Sequence, residues 1–191
     1  MTSSSRLTAR DGALVVVDLQ GRLLAHLPDA PAVVANAVRL TKAAALLGMP
    51  HWATEQYPKG LGTSVPEVVA LYPNRPEKAS FHCCSVASLV EGLHGRRIGH
   101  VTLAGVEAHV CIAQTALELL NMGFGVQIPA DAVASRRRID WEFALRRIER
   151  AGAVVSTTEA VLFEWVETSD HPHFKAISAL VKESHTAAAP L

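Results

Sequence analysis

The stretch from residue 101 to residue 117 reads Val-Thr-Leu-Ala-Gly-Val-Glu-Ala-His-Val-Cys-Ile-Ala-Gln-Thr-Ala-Leu. Its mostly apolar start, 101–104, predicts a buried strand that turns at Gly105. From about His109 the apolar residues recur at three- and four-residue steps, which predicts a helix. A strand, a tight turn and a helix in this order present a residue at the carboxyl edge of a parallel sheet.

The residue presented at that edge is Cys111, in the first turn of the predicted helix. The positive end of a helix dipole stabilises an anion, so this position favours a thiolate and a nucleophile. The alternative is a structural role, because free cysteines are usually buried and behave as small hydrophobic residues. The stretch alone supplies no base that would decide between the two.

The composition indicates one globular domain spanning residues 1–191, with loosely ordered tails at 1–10 and 184–191. Hydrophobic residues make up 49% of the chain, and 18 basic residues balance 18 acidic ones. A zero net charge gives no support for nucleic-acid or anionic-membrane binding. No apolar run approaches the ~20 residues of a membrane span. The start lacks a signal peptide, and three cysteines without a metal-type spacing indicate reduced thiols, so we expect a cytoplasmic protein.

Strand and helix patterns alternate along the chain, which predicts an α/β fold of three layers with helices on both faces of a parallel sheet. The expected order of its six strands is 3-2-1-4-5-6. The predicted strands lie at 13–19, 50–54, near 78, 100–104, 124–129 and 154–156, and the main predicted helices at 31–47, 65–71, 86–93, 109–121, 139–150, 158–166 and 172–182. In this order Asp18 and Cys111 flank the crevice where such sheets bind ligands.

Two charged residues are candidates for a functional role at that crevice. Asp18 ends the first predicted strand, and a carboxylate beside Cys111 can take the thiol proton. A lone Asp at a strand end is otherwise a turn former or helix cap. Two neighbouring anions need a cation, and Lys78 is the candidate, although alone it reads as a solvated surface lysine.

Three blocks resemble, in order, the signature blocks of the isochorismatase-like cysteine hydrolases. They are Val-Val-Val-Asp-Leu-Gln at 15–20, Pro-Glu-Lys-Ala-Ser-Phe at 76–81 and Gly-Val-Glu-Ala-His-Val-Cys at 105–111. The similarity extends over about residues 11–183. The segments at 54–62 and 171–175 look most like the isochorismatase-domain-containing branch of the family.

This resemblance implies a catalytic triad in which Asp18 is the general base, Cys111 the nucleophile, and Lys78 the cation that orients and stabilises both. It also implies a non-proline cis peptide bond, here at Val106–Glu107. In the family this bond helps aim backbone N–H groups, here those of Glu107 and Cys111, at an oxyanion. The family chemistry is hydrolysis of an amide-like C–N bond through a thioester in its amidases.

The chain departs from related nicotinamidases, which bind a metal through an Asp-x-His motif after the second strand. The corresponding segment is Thr-Glu-Gln-Tyr at 54–57, so we predict no metal, no cofactor and a substrate other than nicotinamide. Ala108 stands where the family usually has Thr. A Glu107 facing the pocket would disfavour anionic substrates. The residues Gln20, Tyr57 and Ala108 are further candidates for substrate contact.

Other features are interpreted as structural. His171 and His173 lack further ligands and fit the start of a surface helix. The basic run 136–138 fits a solvated face or a subunit contact. Cys83 and Cys84 are expected to be core thiols away from the pocket. The long irregular segment at 55–77 is expected to be functional or mobile, or to close the pocket, alone or with a neighbouring subunit.

The sequence therefore predicts a hydrolase that uses Cys111 on a small amide-like or other carbonyl compound. Its expected partners are a small-molecule substrate and further copies of itself, with no nucleic acid and no membrane. Two alternatives stay open: a binding or interaction protein without turnover on the same fold, and a redox-responsive thiol protein. The second requires Cys83 or Cys84 to lie near Cys111.

Overall fold

The computed structural model describes residues 6–185, without the side chains of 184 and 185. Its core is one parallel sheet, in which six strands follow the order β3-β2-β1-β4-β5-β7 and β6 pairs with β4. The strands are β1 Gly12–Val17, β2 His51–Gln56, β3 Glu77–Lys78, β4 His100–Val106, β5 Gly125–Pro129, β6 Val133–Ala134 and β7 Val154–Ser156. The predicted fold class and strand order are confirmed.

The strand count differs from the prediction, because the described chain contains seven strands instead of six. The additional strand, β6, has two residues and continues the β4 edge beyond β5, with Gly105 opposite Val133 and Val106 opposite Ala134. Two residues are too few to show a period in the sequence. This short strand is functionally relevant because it brings residues 133–136 beside the segment that precedes Cys111.

The two central strands carry the functional edge of the sheet. Every residue of β1 and β4 is buried, which fits strands covered by helices on both faces. They pair in parallel up to Val17 opposite Gly105. The predicted first strand at 13–19 was too long, since β1 ends at Val17 and Asp18 lies in the following turn.

The helices form the two outer layers. They are α1 Gly21–Leu24, α2 Ala30–Leu46, α3 Pro58–Leu61, α4 Pro66–Leu71, α5 Ala87–Gly95, α6 Ala113–Asn121, α7 Arg138–Arg150, α8 Thr158–Val166 and α9 Phe174–His185. The apolar faces of α2, α8 and α9 pack in one buried cluster, and those of α5, α6 and α7 pack in a second.

The segment that carries Cys111 differs from the regular helix that the sequence predicted. Residues Ala108–Ile112 form a π-helical turn, and the α-helix begins only at Ala113. The Ile112 N–H donates to the carbonyl of Glu107 at 3.2 Å, a bond between residues five apart. π-Turns occur frequently at functional sites and are not visible as a separate period in a sequence.

The described part of the N-terminal tail packs more closely than a loose tail would. Thr8 is buried, Ala9 packs against the core, and Arg10 pairs with Glu167 at 3.1 Å. Residues 1–5 and 186–191, which the prediction also assigned to tails, lie outside the described residues. Within 6–185, no helix is both long and apolar enough to cross a membrane.

The segment between β2 and β3 is held in place by a buried carboxylate. Glu55 Oε1 accepts hydrogen bonds from Thr63 Oγ1, from Ser64 N and Oγ, and from Arg75 Nε, all at 2.8–2.9 Å. Burial opposes ionisation, but these donors, Arg75 foremost, lower the pKa of Glu55 to about 2. The long predicted loop is therefore held on both sides of α4, by residues 63 and 64 before this helix and by Arg75 after it.

Gly105 provides a test of the close packing at the functional edge. Its φ is +120°, and an added Cβ would lie 2.1 Å from the Val17 carbonyl oxygen. We expect Gly105→Ala to lower the free energy of unfolding by about 1–2 kcal/mol for backbone strain and by a further ~1–3 kcal/mol for overpacking. Urea denaturation measures this loss. Gly123→Ala is the matched control, since Gly123 also has a positive φ but open space around it. Equal losses in the two variants would contradict the packing argument.

Candidate active site

Asp18 lies in the turn that follows β1. Its backbone adopts a left-handed conformation with φ 54°, which Asp tolerates better than most other residues. The side chain is fully buried. Its Oδ1 accepts a hydrogen bond from Thr54 Oγ1 at 2.8 Å, and its Oδ2 accepts one from Lys78 Nζ at 2.6 Å. The turn thus directs the carboxylate toward β2 and β3.

Lys78 ends β3, opposite Gln56 of β2. Its ammonium group donates to Asp18 Oδ2, to Gln56 Oε1 at 2.6 Å and to the Ser80 carbonyl at 3.3 Å. Cys111 Sγ lies 3.6 Å from the same nitrogen. Burial alone lowers the pKa of Lys78, but the Asp18 carboxylate and the nearby thiols raise it above its ordinary value. The ammonium is therefore a permanent buried cation.

Cys111 lies on the π-turn, behind a cis peptide bond between Val106 and Glu107. Burial, followed by the negative charge of Asp18, raises the pKa of Cys111 to about 12, and Lys78 offsets only part of this increase. The raised pKa favours the neutral thiol beside the Asp18 carboxylate. The expected thiolate at a helix terminus was wrong, because burial and the carboxylate outweigh the dipole.

The structure brings Asp18, Lys78 and Cys111 together, and it adds two positioning residues that the sequence reasoning missed. Thr54 holds Asp18 Oδ1, and Gln56 holds Lys78 while its Nε2 donates to the Ala79 carbonyl at 2.9 Å. Both residues lie in the carboxyl-terminal half of β2, next to β1. Like Asp18, they are polar residues near the carboxyl end of a strand, and this signal could have identified them.

Cys83 also belongs to the site, which corrects the expectation that it lies away from the pocket. Its sulfur is 3.6 Å from Oγ1 of Thr54, the residue that also binds Asp18, and its N–H donates to Thr115 Oγ1 at 2.9 Å, one turn after Cys111. Cys83, Cys84 and Cys111 are free thiols, so the redox alternative stays open. Burial, however, raises the pKa of Cys83, and thiols with a raised pKa resist oxidation.

The three further candidates for substrate contact, Gln20, Tyr57 and Ala108, occupy different environments. Gln20 is fully buried. Its side-chain Nε2 donates hydrogen bonds to the carbonyls of Gln56 and Gly62, and its Oε1 accepts one from the Gln56 N–H. It positions the segment after β2 and offers no group to a ligand. Ala108 is buried in the π-turn. Tyr57 is exposed and donates its N–H to the Lys78 carbonyl, so it borders the site.

Glu107 follows the cis bond and does not present an unpaired charge. Both of its carboxylate oxygens lie close to Arg136 Nε at 3.1 Å, and Oε2 also accepts the Arg136 N–H at 3.0 Å. The neighbouring His109 Nδ1 lies 2.9 Å from Ser135 Oγ and 4.0 Å from Glu107. The basic run at 136–138 therefore contributes directly to the surroundings of the site.

Across the described residues, no group of three or more His, Cys, Asp and Glu side chains is arranged to hold a metal ion. His171 and His173 lie directly before α9, with ring centroids 5.7 Å apart, as expected for a helix start. The oxygens of Asp18 and Gln56 that face the site are engaged by Lys78. The absence of a metal requirement stays a prediction.

Comparison with known proteins gives consistent matches. A family model described as Isochorismatase domain matches residues 12–160. Isochorismatase domain-containing protein 2 of Danio rerio is 40% identical over 95% of this chain and 92% of its own. A structure described as MAR1 ribonuclease from Caenorhabditis elegans has a TM-score of 0.87 and 37% identity, covering 98% of both chains. YcaC from Pseudomonas aeruginosa, with hexane-2,5-diol and covalent acrylamide, has a TM-score of 0.83 and 25% identity, covering 96% and 98%.

The charge arrangement of the site is testable through the titration of Cys111. Asp18→Asn removes the carboxylate that raises the pKa of Cys111 and leaves Lys78, so this pKa should fall below about 12. Lys78→Met removes the cation that lowers it, so the pKa should rise. The pH dependence of Cys111 alkylation, followed by mass spectrometry, measures both shifts. A rise in Asp18→Asn, or shifts of the same sign in both variants, would contradict the arrangement.

Proposed function

The chain belongs to the isochorismatase-domain family, and we propose that it is a hydrolase that uses Cys111 as a nucleophile on a small amide-like substrate. One observation carries the proposal: Lys78 Nζ lies 2.6 Å from Asp18 Oδ2 and 3.6 Å from Cys111 Sγ in a buried site. A nucleophile, a base in reach of its proton and a fixed cation are the groups that covalent acyl transfer requires.

In the first half of the proposed reaction, Asp18 accepts the thiol proton as the sulfur of Cys111 attacks the carbonyl carbon. The new C–S bond gives a tetrahedral intermediate with a negative oxygen. By the family resemblance, the backbone N–H groups of Glu107 and Cys111 bind this oxyanion. Collapse breaks the C–N bond, the amine leaves with the proton held by Asp18, and a thioester remains on Cys111.

In the second half, water attacks the thioester while Asp18 takes one of its protons. The C–S bond breaks, the carboxylic product leaves, and the proton returns to the sulfur. The sum is amide plus water giving acid plus amine. Asp18 thus acts first as base and then as acid in each half, a role for which it must remain within hydrogen-bond reach of the sulfur.

We infer that the buried charges keep the thiol protonated at rest. The resting site combines the Asp18 carboxylate with the Lys78 ammonium and a neutral thiol, so its formal charge is zero. After attack, a protonated Asp18, the ammonium and the oxyanion again sum to zero. Uncompensated charges are costly in a buried site, and this proton transfer keeps the formal charge of the site at zero. A resting thiolate would instead place two anions, Cys111 and Asp18, side by side.

Small reagents are the natural starting point for the substrate. The Pseudomonas aeruginosa relative is described with covalent acrylamide, and we infer by analogy that the site in this chain accepts molecules of that size. Cys111 is only 5% exposed, which also favours a small substrate. An extended polymer would have to deliver its reacting group through an opening that leaves the thiol almost covered.

A second candidate comes from the relative described as a ribonuclease. Its chemistry, phosphodiester hydrolysis, needs an RNA backbone at the reacting groups. In this chain Asp18 is 0% exposed, and 18 basic residues balance 18 acidic ones, whereas RNA-binding surfaces carry an excess of positive charge. We therefore propose a small-molecule substrate without a nucleic-acid partner, and RNA enters the test below as a competing substrate.

We further propose that the protein works without a cofactor, in the cytoplasm, as a homo-oligomer. The last point is supported by three large apolar side chains that are at least half exposed, Phe81 beside the Lys78 segment and Ile139 and Phe143 on α7. The helix α7 packs against the π-turn that carries Cys111. A neighbouring subunit that covered these side chains would also border the site.

The function is tested by incubating the protein with a panel of small primary amides and measuring ammonia release. For any amide that is hydrolysed, Cys111→Ala should reduce turnover at least about a thousandfold, because the nucleophile is lost. Cys84→Ala is the control: this thiol is partly exposed and outside the triad, so activity should persist. Full turnover in Cys111→Ala, or cleavage of RNA oligonucleotides in place of amides, would contradict the proposal.

A further inference from the structure

One part of Arg136 is held by hydrogen bonds, whereas the end of its side chain is exposed. Its N–H and its Nε both bind the carboxylate of Glu107, and Glu107 is only 8% exposed. The side chain of Arg136 is 59% exposed, and neither Nη group makes a hydrogen bond within residues 6–185. The guanidinium is thus held in one orientation by a buried carboxylate while its two terminal NH₂ groups face outward.

The sheet places this guanidinium beside the nucleophile segment. The strand β6 pairs Val106 with Ala134, so Arg136 follows two residues later alongside Glu107. Ser135 Oγ meets His109 Nδ1 at 2.9 Å, and His109 lies on the same π-turn as Cys111. Two contacts therefore fix the 135–136 segment against the turn that presents the sulfur.

Open space lies on both sides of Arg136. One cavity, of about 450 Å³, is lined by His109, Arg136, Arg137 and Asp140. Arg136 also borders a groove of about 570 Å³ that continues past Ser135 and Trp141. In contrast, Arg137 forms two hydrogen bonds with Asp140. Of these neighbouring arginines, Arg136 therefore combines access to both spaces with an anchor on the segment before Cys111.

We propose that Arg136 is a specificity-determining residue that binds a carboxylate of the substrate, so that the preferred substrates are small amides that also carry an acid group. This inference rests on the proposed function and names its substrate class. Arginine binds carboxylates through a pair of parallel N–H groups. Because Glu107 binds only the Nε and the backbone N–H of Arg136, the two Nη groups remain available as such a pair. Arg136 also neutralises the negative charge of Glu107, which alone would repel an anionic substrate.

Two alkylating reagents of the same size test this assignment without a known substrate. Iodoacetamide and iodoacetate transfer similar groups to a thiol with loss of iodide, and they differ in one negative charge. The measured quantity is the ratio of their rates at Cys111, followed by mass spectrometry on the full chain. We expect Arg136→Gln to lower the iodoacetate rate about tenfold, the effect of losing one charge-assisted hydrogen bond, while the iodoacetamide rate changes less than twofold.

Three further variants separate recognition by Arg136 from general electrostatics. Arg146→Gln removes one charge from an exposed position of α7 and should leave the ratio unchanged. Arg136→Lys keeps the charge without the paired N–H groups and should lose part of the preference. Arg136→Gln combined with Glu107→Gln restores the net charge of the site. If the iodoacetate rate returned to the wild-type value in this double variant, net charge alone would explain the result and the assignment to Arg136 would be overturned.

The inference and the proposed function fail in different ways. If Cys111 reacts with both reagents no faster than Cys84, whose pKa is also raised to about 12, Asp18 does not activate Cys111, and both are overturned. If Cys111 reacts but the ratio is the same in wild type and Arg136→Gln, only the carboxylate assignment is overturned. In the amide panel, the assignment predicts faster ammonia release from succinamate than from butyramide, with the difference abolished by Arg136→Gln. Equal rates for these two amides would also contradict it.

Discussion

The ion pair between Asp18 and Lys78 is the interaction on which the site depends. Both side chains are almost completely buried and 2.6 Å apart. A buried pair is stable only when its remaining hydrogen-bonding groups are satisfied, and here Thr54, Gln56 and the Ser80 carbonyl supply those partners. The pair fixes the positions of a carboxylate and an ammonium group, and together with burial it shifts the pKa of Cys111.

The parallel sheet explains why these groups meet. The strands β3, β2, β1 and β4 lie side by side, and all of them end at the same edge. Lys78, Gln56, Asp18 and the cis bond before the π-turn follow one another across that edge, although they are distant in sequence. The short strand β6 lies on the other side of β4 from β1, and it places Arg136 beside Glu107.

Much of this arrangement was predictable from the sequence, because continuous apolar runs and polar residues at their ends are local signals. These signals indicated the strand order and the meeting of Asp18 with Cys111, the need for a cation beside two anions selected Lys78, and the motif resemblance then supported all three residues. The π-turn, the two-residue β6 and the proximity of Cys83 were not predictable, since they depend on tertiary packing. The direction of the Cys111 pKa shift was missed for the same reason: the helix dipole is read from the sequence, whereas burial and the distance to a carboxylate are not.

We propose that Cys111 rests as a neutral thiol within hydrogen-bond reach of Asp18, in a site of zero formal charge. The most direct measurement is the infrared S–H stretching band at neutral pH, taken as the difference between wild type and Cys111→Ala so that Cys83 and Cys84 cancel. We predict one S–H band in this difference spectrum, and we expect the frequency of the band to shift in Asp18→Asn. A difference spectrum without an S–H band would mean that Cys111 is already a thiolate, and the proton-transfer mechanism described for this site would be contradicted.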